Sequence, residues 1–282
     1  LREYCRDTAK LHQLDYQELL LAEPQVATEN TPPFWFNALQ GLDEHAAVDV
    51  IFSLLEFDDY HWRAITRRVV QQTCNLFYRT HELNPSRWSA PNLLEIGKAL
   101  AEGAGSARVK ERLEVVAKLT GVDAMKSYRS LVAPTKDEAS VHSAGAALVR
   151  LFETSVGKRT LAWGAAPREL SLAATEGVVY MGLNSSEFSA LAKVVSTSAL
   201  AQLDALASQV IRQMRPKTKT LIIVDEAWAL HLPQLKNLLA RGNTAGFSVW
   251  LATQNASDLI CSDDGWSPLL QAGCGVILQQ KE

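Results

Sequence analysis

The sequence lacks the features that mark several large classes of protein. Its four cysteines, at positions 5, 74, 261 and 274, form neither a CxxC pair nor the Cys/His spacing of a zinc site, which indicates reduced thiols rather than a disulfide framework. The formal net charge of −3 gives no global basic field for nucleic acid or a membrane surface, so any contact with DNA must be local. We find no apolar run of transmembrane length and no signal peptide.

The remaining composition is that of an ordinary folded protein, with 47% hydrophobic and 21% charged residues in a chain of 282. A chain of this length holds one large or two medium domains, each with a proper hydrophobic core. Because the first residues already follow a helical pattern, we expect a fragment of a longer protein, itself soluble and cytoplasmic.

A phosphate-binding loop is also lacking. The one Gly-Lys step is Gly157-Lys158, and the pattern GxxxxGK[ST] would require glycine at 152 and serine or threonine at 159, where Phe152 and Arg159 stand. The step follows a predicted helix, whereas a phosphate loop follows a strand, so that its backbone N–H groups open toward the phosphates. We therefore interpret Gly157 as the end of a helix, and we expect this chain alone not to bind ATP tightly.

The most informative segment that is present runs from Thr220 to Trp228. Its apolar residues follow one another without alternation, which predicts a strand buried on both faces, as in a parallel sheet covered by helices. In such sheets ligands bind beyond the carboxyl ends of the strands, where Asp225 and Glu226 stand. A carboxylate that holds hydrated Mg²⁺ beside one that orients a water is the Walker B pattern of NTPases. The alternative is a core strand with acidic residues that cap the next helix.

A second predicted strand, from Phe247 to Thr253, ends in polar residues as well. Thr253 and Gln254 would lie beside Asp225 and Glu226 on the neighbouring strand, within reach of a terminal phosphate or its attacking water. Alternatively, they are simply a strand end that turns into Asn255. Because two consecutive strands carry complementary polar ends, the sequence favours a nucleotide site.

The chain divides into three parts by its periodicity. Residues 1–42 contain a helix and a short strand at 16–22, and residues 43–156 are predicted to be helical throughout. Residues 157–282 alternate strands and helices, which implies a parallel sheet. The predicted helices of the middle part cover 43–57, 58–81, 93–103, 106–121 and 137–154, with a short one ending near 131. The predicted elements of the last part are strands at 177–183, 221–225, 247–253 and 275–279 and helices at 187–214 and 231–240.

Three arginines, Arg63, Arg67 and Arg68, share one side of the predicted helix 58–81. We interpret them as a solvated helix face, with a patch for phosphate or acidic protein as the alternative.

Several of these segments together resemble the motor domain of type IV coupling proteins of bacterial conjugation, the TraD/TraG type, in the FtsK/HerA branch of RecA-like ATPases. The segments that carry the resemblance are Gly177 to Leu183, Leu221 to Glu226, Ala245 to Val249, Ala252 to Gln254 with Ser257 to Leu259, and Gly275 to Leu278 with Lys281 and Glu282. Upstream, Phe36 to Leu39 resembles the segment that precedes the all-alpha insertion of that family, and 43–154 stands where the insertion falls.

The resemblance implies an α/β fold, a RecA-like P-loop NTPase core with a parallel sheet, interrupted by an inserted all-α domain at 43–156. It implies an ATP-driven DNA translocase that is active as a hexamer at the cytoplasmic face of the bacterial inner membrane. The expected cofactors are ATP and Mg²⁺. The expected partners are single-stranded DNA with its relaxase and accessory proteins, and the type IV secretion channel.

By position in the motifs, the resemblance assigns Mg²⁺ binding through water to Asp225, the catalytic base to Glu226 and the sensing of the terminal phosphate to Gln254, with Thr253 beside it. The family's loop for phosphate lies shortly before the position where this chain begins. Related motors also show Gly-Arg-x-Ala-Gly after Walker B, but here Asn243 occupies the place of the arginine. Arg241 is then either the trans-acting arginine, from a shifted backbone, or a residue that contacts the last carbonyls of its helix.

Two other functions remain open. Another secretion or DNA-pumping ATPase of the same superfamily would carry the same strand ends, although the helical insertion favours the coupling protein. A non-catalytic adaptor that keeps the fold and binds cargo through its helices is consistent with the lack of a phosphate loop.

Overall fold

The computed structural model describes residues 1–21, 34–57, 60–103, 106–120, 138–161, 168–173, 177–213, 219–226 and 232–252. The packing of the chain divides it into two compact units, Leu1–Gln202 and Leu203–Glu282. Several sequence-based predictions lie outside the described residues: the start of the predicted helix 58–81 at residues 58 and 59, the short helix that ends near 131, and the strand 275–279. The three-part division into 1–42, 43–156 and 157–282 stays a prediction.

The first unit contains a parallel pair of strands. Helix α1 (Arg2–Leu11) leads into β1 (Asp15–Leu20), which pairs with β2 (Gly177–Gly182) along its whole length. The strands approach so closely that a Cβ on Gly177 would lie 2.2 Å from the carbonyl oxygen of Asp15. The parallel direction agrees with the prediction, and both strands end one or two residues earlier than predicted.

Within the described residues, six helices lie between these paired strands in the chain. They are α2 (Glu44–Leu54), α3 (Tyr60–Leu83), α4 (Leu93–Glu102), α5 (Ala107–Thr120), α6 (Glu138–Arg150) and the short α7 (Ser155–Thr160). Helix α3 contacts α2, α4, α5 and α6, and it buries Val70, Cys74 and Phe77 against them. The described helices lie where helices were predicted, and the inserted all-α domain itself stays a prediction.

Side chains determine where two of these helices begin. Asp43 accepts the N–H of Ala46 at 2.9 Å, which caps α2, and Asn92 accepts the N–H of Glu95 at 3.0 Å, which caps α4. Ser106, which directly precedes α5, donates its hydroxyl to Glu102 at 2.5 Å. Helix α6 ends at Arg150, four residues before the predicted end, because residues 151–153 leave the helix as turns and Thr154 caps α7.

The described segment that precedes α2, residues 34–43, is held in place by hydrogen bonds of the buried Asn37. Phe36 is fully buried and its N–H donates to the carbonyl of Thr160 at 2.8 Å. The side chain of Asn37 accepts the N–H of Leu39 at 3.0 Å, and the Asn37 carbonyl accepts a hydrogen bond from the side-chain amide of Gln202 at 2.9 Å. These bonds satisfy polar groups that would otherwise be buried without partners.

Helix α8 (Ser189–Arg212) is the longest apolar helix in the described residues, and the division between the two units falls within it. It is the one described helix long and apolar enough to cross a membrane by length and composition alone, contrary to the expectation from the sequence that no such run exists. Most of it is buried within the protein, as in the core helix of a globular domain.

The second unit contains β3 (Thr220–Val224), α9 (Leu232–Ala245) and β4 (Phe247–Leu251). The two strands pair in parallel, as predicted, and α9 packs against β4. The prediction that β3 is buried on both faces is wrong for the described residues, because Leu221 and Ile223 are 53% and 50% exposed. Alternate residues of the pair therefore face α9 and the solvent, and Trp250 lies on the exposed face with Leu221 and Ile223.

A guanidinium group lies inside the helical core. Arg112 of α5 is 2% exposed and lies over the rings of Phe77 and Trp88, 3.8 and 4.3 Å from their centroids. It donates to Thr80 at 2.6 Å and to Glu95 at 3.0 Å. Burial lowers the pKa of Arg112, and the carboxylate of Glu95 opposes that shift. The charge is therefore tolerated only because both rings and two acceptors surround it.

Replacing Arg112 with alanine should lower the free energy of unfolding by about 3 kcal/mol or more, because it removes one member of a buried pair and opens a void between two rings. Arg67→Ala is the matched control, since Arg67 is half exposed and paired with Asp49 on the surface, and it should lose at most about 1 kcal/mol. Urea unfolding followed by circular dichroism measures both. Equal losses would mean that burial adds nothing to the Arg112 interactions.

Helices α4 and α6 approach each other closely at two glycines, Gly97 and Gly145. A Cβ on Gly145 would lie 2.3 Å from the amide nitrogen of Ala101 and 2.7 Å from the carbonyl oxygen of Gly97, both backbone atoms of α4. The contact therefore requires a residue without a side chain at 145.

Gly145→Ala should destabilise the protein by about 1–3 kcal/mol despite the better helix propensity of alanine, because backbone atoms cannot yield to the added methyl group. Gly242→Ala in α9 is the control, since the nearest atom to its Cβ would be a side-chain carbon of Phe247 at 3.3 Å. That variant should stay within about 1 kcal/mol of the parent. Hydrogen exchange of the α4 and α6 amides gives a local measurement, and unchanged protection in Gly145→Ala would contradict the close approach.

Candidate nucleotide site

The site is built on the carboxyl ends of β3 and β4. Their register pairs Thr220 with Phe247 and continues to Val224 with Leu251, so both strands end at the same edge. The N–H of Ala252 then donates to the carbonyl of Val224 at 2.8 Å and extends the pairing one step beyond the strands. Asp225 and Glu226 follow β3 directly at this edge, which is where parallel sheets bind ligands.

The two carboxylates stand at a sharp change in backbone direction. Glu226 has a φ of 53°, in the left-handed region that residues with a side chain rarely adopt. Its N–H donates to Oδ1 of Asp225 at 3.0 Å, which helps to hold this conformation. Both residues are exposed, so both carboxylates are accessible at the strand edge. Of the five site residues predicted from the sequence, these two are the pair that the structure places together.

Thr253 and Gln254, the predicted polar ends of the second strand, lie outside the described residues. Strand β4 ends at Leu251, two residues before the predicted end, and the described chain stops at Ala252. The roles proposed for the hydroxyl of Thr253 and the amide of Gln254 therefore stay predictions.

Arg241 lies about one turn before the end of α9 and pairs with residues of α8. Its Nη2 lies 3.2 Å from Oδ2 of Asp204, and Nη1 donates to the hydroxyl of Ser208 at 3.5 Å. Burial raises the pKa of Asp204, and the guanidinium of Arg241 opposes that shift. One interpretation from the sequence was that Arg241 contacts the last carbonyls of its own helix. The guanidinium instead contacts Asp204 and Ser208 of α8.

The prediction that the helix ends at residue 240 is wrong, since α9 continues to Ala245. Gly242 lies within the helix, and the helix ends instead at Gly246, whose φ of 89° is the left-handed conformation typical of a glycine after a helix. The sequence offered a sign of the partner that was missed: Asp204 and Ser208 stand four residues apart on an otherwise apolar helix, and therefore on one side of it.

We expected Gly157 to end a helix, but this prediction is wrong, because the residue lies within α7. Its N–H donates to the hydroxyl of Thr154 at 2.9 Å, and its Cβ would overlap the carbonyl oxygen of Leu151. Because α7 follows a turn after α6 and not a strand, the Gly157-Lys158 step does not have the structural context of a phosphate loop.

Two of the three arginines of α3, Arg63 and Arg67, contact residues of the adjacent helix α2. Arg67 pairs with Asp49 at 2.5 Å, and the guanidinium groups of Arg63 and Arg67 lie 5.8 and 5.3 Å from the ring centroid of Phe52. This arrangement favours the solvated helix face over a patch for phosphate.

The described ranges contain no group of three or more His, Cys, Asp or Glu side chains that could hold a metal ion on their own. The edge of β3 therefore offers one aspartate and its neighbouring glutamate rather than a full ligand cage. This donor set suits Mg²⁺, which is commonly held by one or two carboxylates while water and substrate phosphates complete its octahedral shell.

Comparisons of the sequence with protein-family models find no match. Comparisons with curated proteins find none either.

Comparison with solved structures does find similar folds. The bacterial conjugative coupling protein TrwBdeltaN70 in complex with sulphate matches with a TM-score of 0.53 and 14% identity. The plasmid coupling protein TrwB in complex with ADP and Mg²⁺ gives 0.52 and 14%, and TrwB with the non-hydrolysable GTP analogue GDPNP gives 0.51 and 13%. Each match covers 95% of this chain and 63% of the other, so the chain spans less than two thirds of their length. The chain therefore has the fold of the conjugative coupling proteins, of the TraD and TrwB type.

Proposed function

We propose that this chain is part of a conjugative type IV coupling protein, an ATP-driven DNA translocase that brings relaxase-bound DNA to the type IV secretion channel. The observation that carries the proposal is the in-register parallel pairing of β3 and β4, which ends with Asp225 and Glu226 exposed at one edge. The likeness to structures of coupling proteins, one of them in complex with ADP and Mg²⁺, supports it.

In the proposed site Asp225 holds Mg²⁺ through water, and the metal, when bound, neutralises charge on the phosphates of ATP. Glu226 orients and deprotonates the attacking water. The left-handed backbone at Glu226 supports a special role for this residue, because that conformation costs roughly 1–2 kcal/mol in an L-residue. Such a conformation is often retained where it places a functional side chain.

The remaining roles follow from the position of each residue in the sequence. Gln254 senses the terminal phosphate and Thr253 contributes to nucleotide binding from the next strand. Residues 1–282 contain no GxxxxGK[ST] pattern, so the proposed site requires a phosphate-binding loop from other residues. The full protein would act as a hexamer at the cytoplasmic face of the inner membrane, with single-stranded DNA, relaxase and accessory proteins as partners. The helices α2 to α7 would form the all-α domain that recognises cargo.

Glu226→Gln in the full-length protein that contains this chain should lower DNA-stimulated ATP hydrolysis by about a hundredfold or more, while nucleotide binding persists, because only the activation of water is lost. Hydrolysis is measured by phosphate release and binding by a fluorescent ATP analogue. Glu114→Gln, an exposed substitution on α5, is the control and should leave both unchanged.

Unchanged turnover in Glu226→Gln would refute the assignment of the catalytic base. A wild-type protein that binds cargo but neither binds nor hydrolyses ATP would instead identify the non-catalytic adaptor. Hydrolysis that responds to a protein substrate and not to DNA would favour another secretion ATPase of the same fold.

Arg241 is proposed as the trans-acting arginine, and its pairing with Asp204 makes a sharp test possible. Arg241→Gln should lower turnover by about a thousandfold if the guanidinium reaches a neighbouring subunit's nucleotide. Asp204→Asn weakens the present pairing without removing the arginine, so it should leave turnover intact or raise it. Steady-state hydrolysis at saturating ATP measures both variants. Equal losses of activity in the two variants would mean that Arg241 acts only by joining α9 to α8.

A further inference from the structure

A polar cavity in the helical part of the chain is not used by the proposed nucleotide site. It has a volume of about 340 Å³ and lies between the segment that follows α3, helix α4 and helix α5. We call it the Trp88 cavity, and the residues that matter in its lining are Arg87, Trp88, Glu95, Arg108, Glu111 and Arg112.

The inner wall of the Trp88 cavity is rigid. Arg112 and Trp88 are 2% and 9% exposed, and the guanidinium lies 4.3 Å from the centroid of the indole. Glu95 accepts from both Arg112, at 3.0 Å, and Arg108, at 3.3 Å, so one carboxylate holds two arginines. A wall fixed in this way is organised before any ligand arrives.

Three residues of the lining carry hydrogen-bond donors that are not used. The indole Nε1 of Trp88 and the Nε atoms of Arg108 and Arg112 are shielded from solvent, and within the described residues none of the three has an acceptor. Buried N–H groups are almost always hydrogen-bonded in folded proteins. Three unsatisfied donors in the lining of one cavity therefore point to an acceptor that comes from outside the described chain.

The charges of the lining restrict what that acceptor can be. Three guanidinium groups face two carboxylates in the cavity, so the walls carry a small positive excess. This excess matches one monoanionic group. A planar carboxylate fits the guanidinium donors, whereas a nucleic-acid backbone, with a charge on every phosphate, would approach Glu95 and Glu111 as well.

The mouth of the Trp88 cavity can open without disturbing the core. Arg87 and Glu111 pair there at 2.5 Å, and both side chains are about half exposed, at 54% and 50%. Exposed ion pairs of this kind contribute little to stability. An incoming carboxylate can therefore replace Glu111 as the partner of Arg87.

We propose that the Trp88 cavity binds the carboxylate of an aspartate or glutamate side chain from an acidic protein partner, with Trp88 and Arg108 as the donors at its base. This site is independent of the nucleotide site and does not require the chain to hydrolyse ATP.

The test uses the ¹⁵N-labelled 282-residue chain and the indole N–H resonances of its tryptophans. Trp88→Phe identifies the Trp88 resonance. Titration with N-acetyl-glutamate amide should move that resonance downfield to saturation, because the indole N–H gains an acceptor, while N-acetyl-glutamine amide should not. Inorganic phosphate is titrated separately, to distinguish a site for carboxylates from one for phosphate.

Arg108→Gln should weaken the binding of N-acetyl-glutamate amide by about tenfold, the loss expected when one charge-assisted hydrogen bond is removed. Arg67→Gln, a surface arginine on α3 that is paired with Asp49, should leave the dissociation constant unchanged. Arg87→Gln, at the exposed mouth, serves as a second test should Arg108→Gln not fold. The proposal is overturned if the Trp88 resonance does not respond to the glutamate probe, if phosphate binds as tightly, or if the Arg67 variant loses as much affinity as the cavity variants.

Discussion

The candidate site depends on the register between β3 and β4. In a parallel pair, successive side chains point to opposite faces, so a slip of one residue would turn Phe247 away from α9 and expose it. The burial of Phe247 and the contact of α9 with β4 therefore hold the pairing of Thr220 with Phe247 in place. That pairing in turn makes both strands end together, which leaves Asp225 at the shared edge. An apolar contact at one end of the strands thus determines where a carboxylate stands at the other.

In the helical part of the chain, the helices pack closely around a buried charged side chain, that of Arg112. Gly97 and Gly145 allow α4 and α6 to approach until backbone meets backbone, which fixes the position of α4. Helix α4 also carries Glu95, the carboxylate that holds Arg112 inside the core. Replacing such a buried pair with apolar residues is often neutral or stabilising, so its presence is more informative about specificity than about stability. Here it fixes the orientation of Trp88, the wall of the cavity that we propose as a binding site.

Much of this arrangement could be predicted from local patterns. The apolar runs at 221–225 and 247–253 predicted two parallel strands, and they placed Asp225 and Glu226 at the carboxyl end of the first. The burial of β3 was overestimated because an unbroken apolar run does not say what lies over each face. The exposed fractions of Leu221 and Ile223 depend on the elements that pack against the strand pair, which no local pattern contains.

The errors at Gly157 and at the end of α9 have a common origin. Glycine ends a helix only where the backbone reaches a positive φ, and in α9 this happens at Gly246 rather than at Gly242. The pairing of Arg241 with Asp204 and that of Arg112 with Glu95 join different helices, so the partners could not be identified from spacing within one helix.

The bare face of the β3 and β4 pair has a consequence for the behaviour of the chain in solution. Leu221, Ile223 and Trp250 present adjacent apolar surface on one face of the pair. Exposed apolar surfaces of this kind favour self-association, which increases with protein concentration. A charged residue at Leu221 would interrupt this exposed apolar surface and so oppose self-association through it.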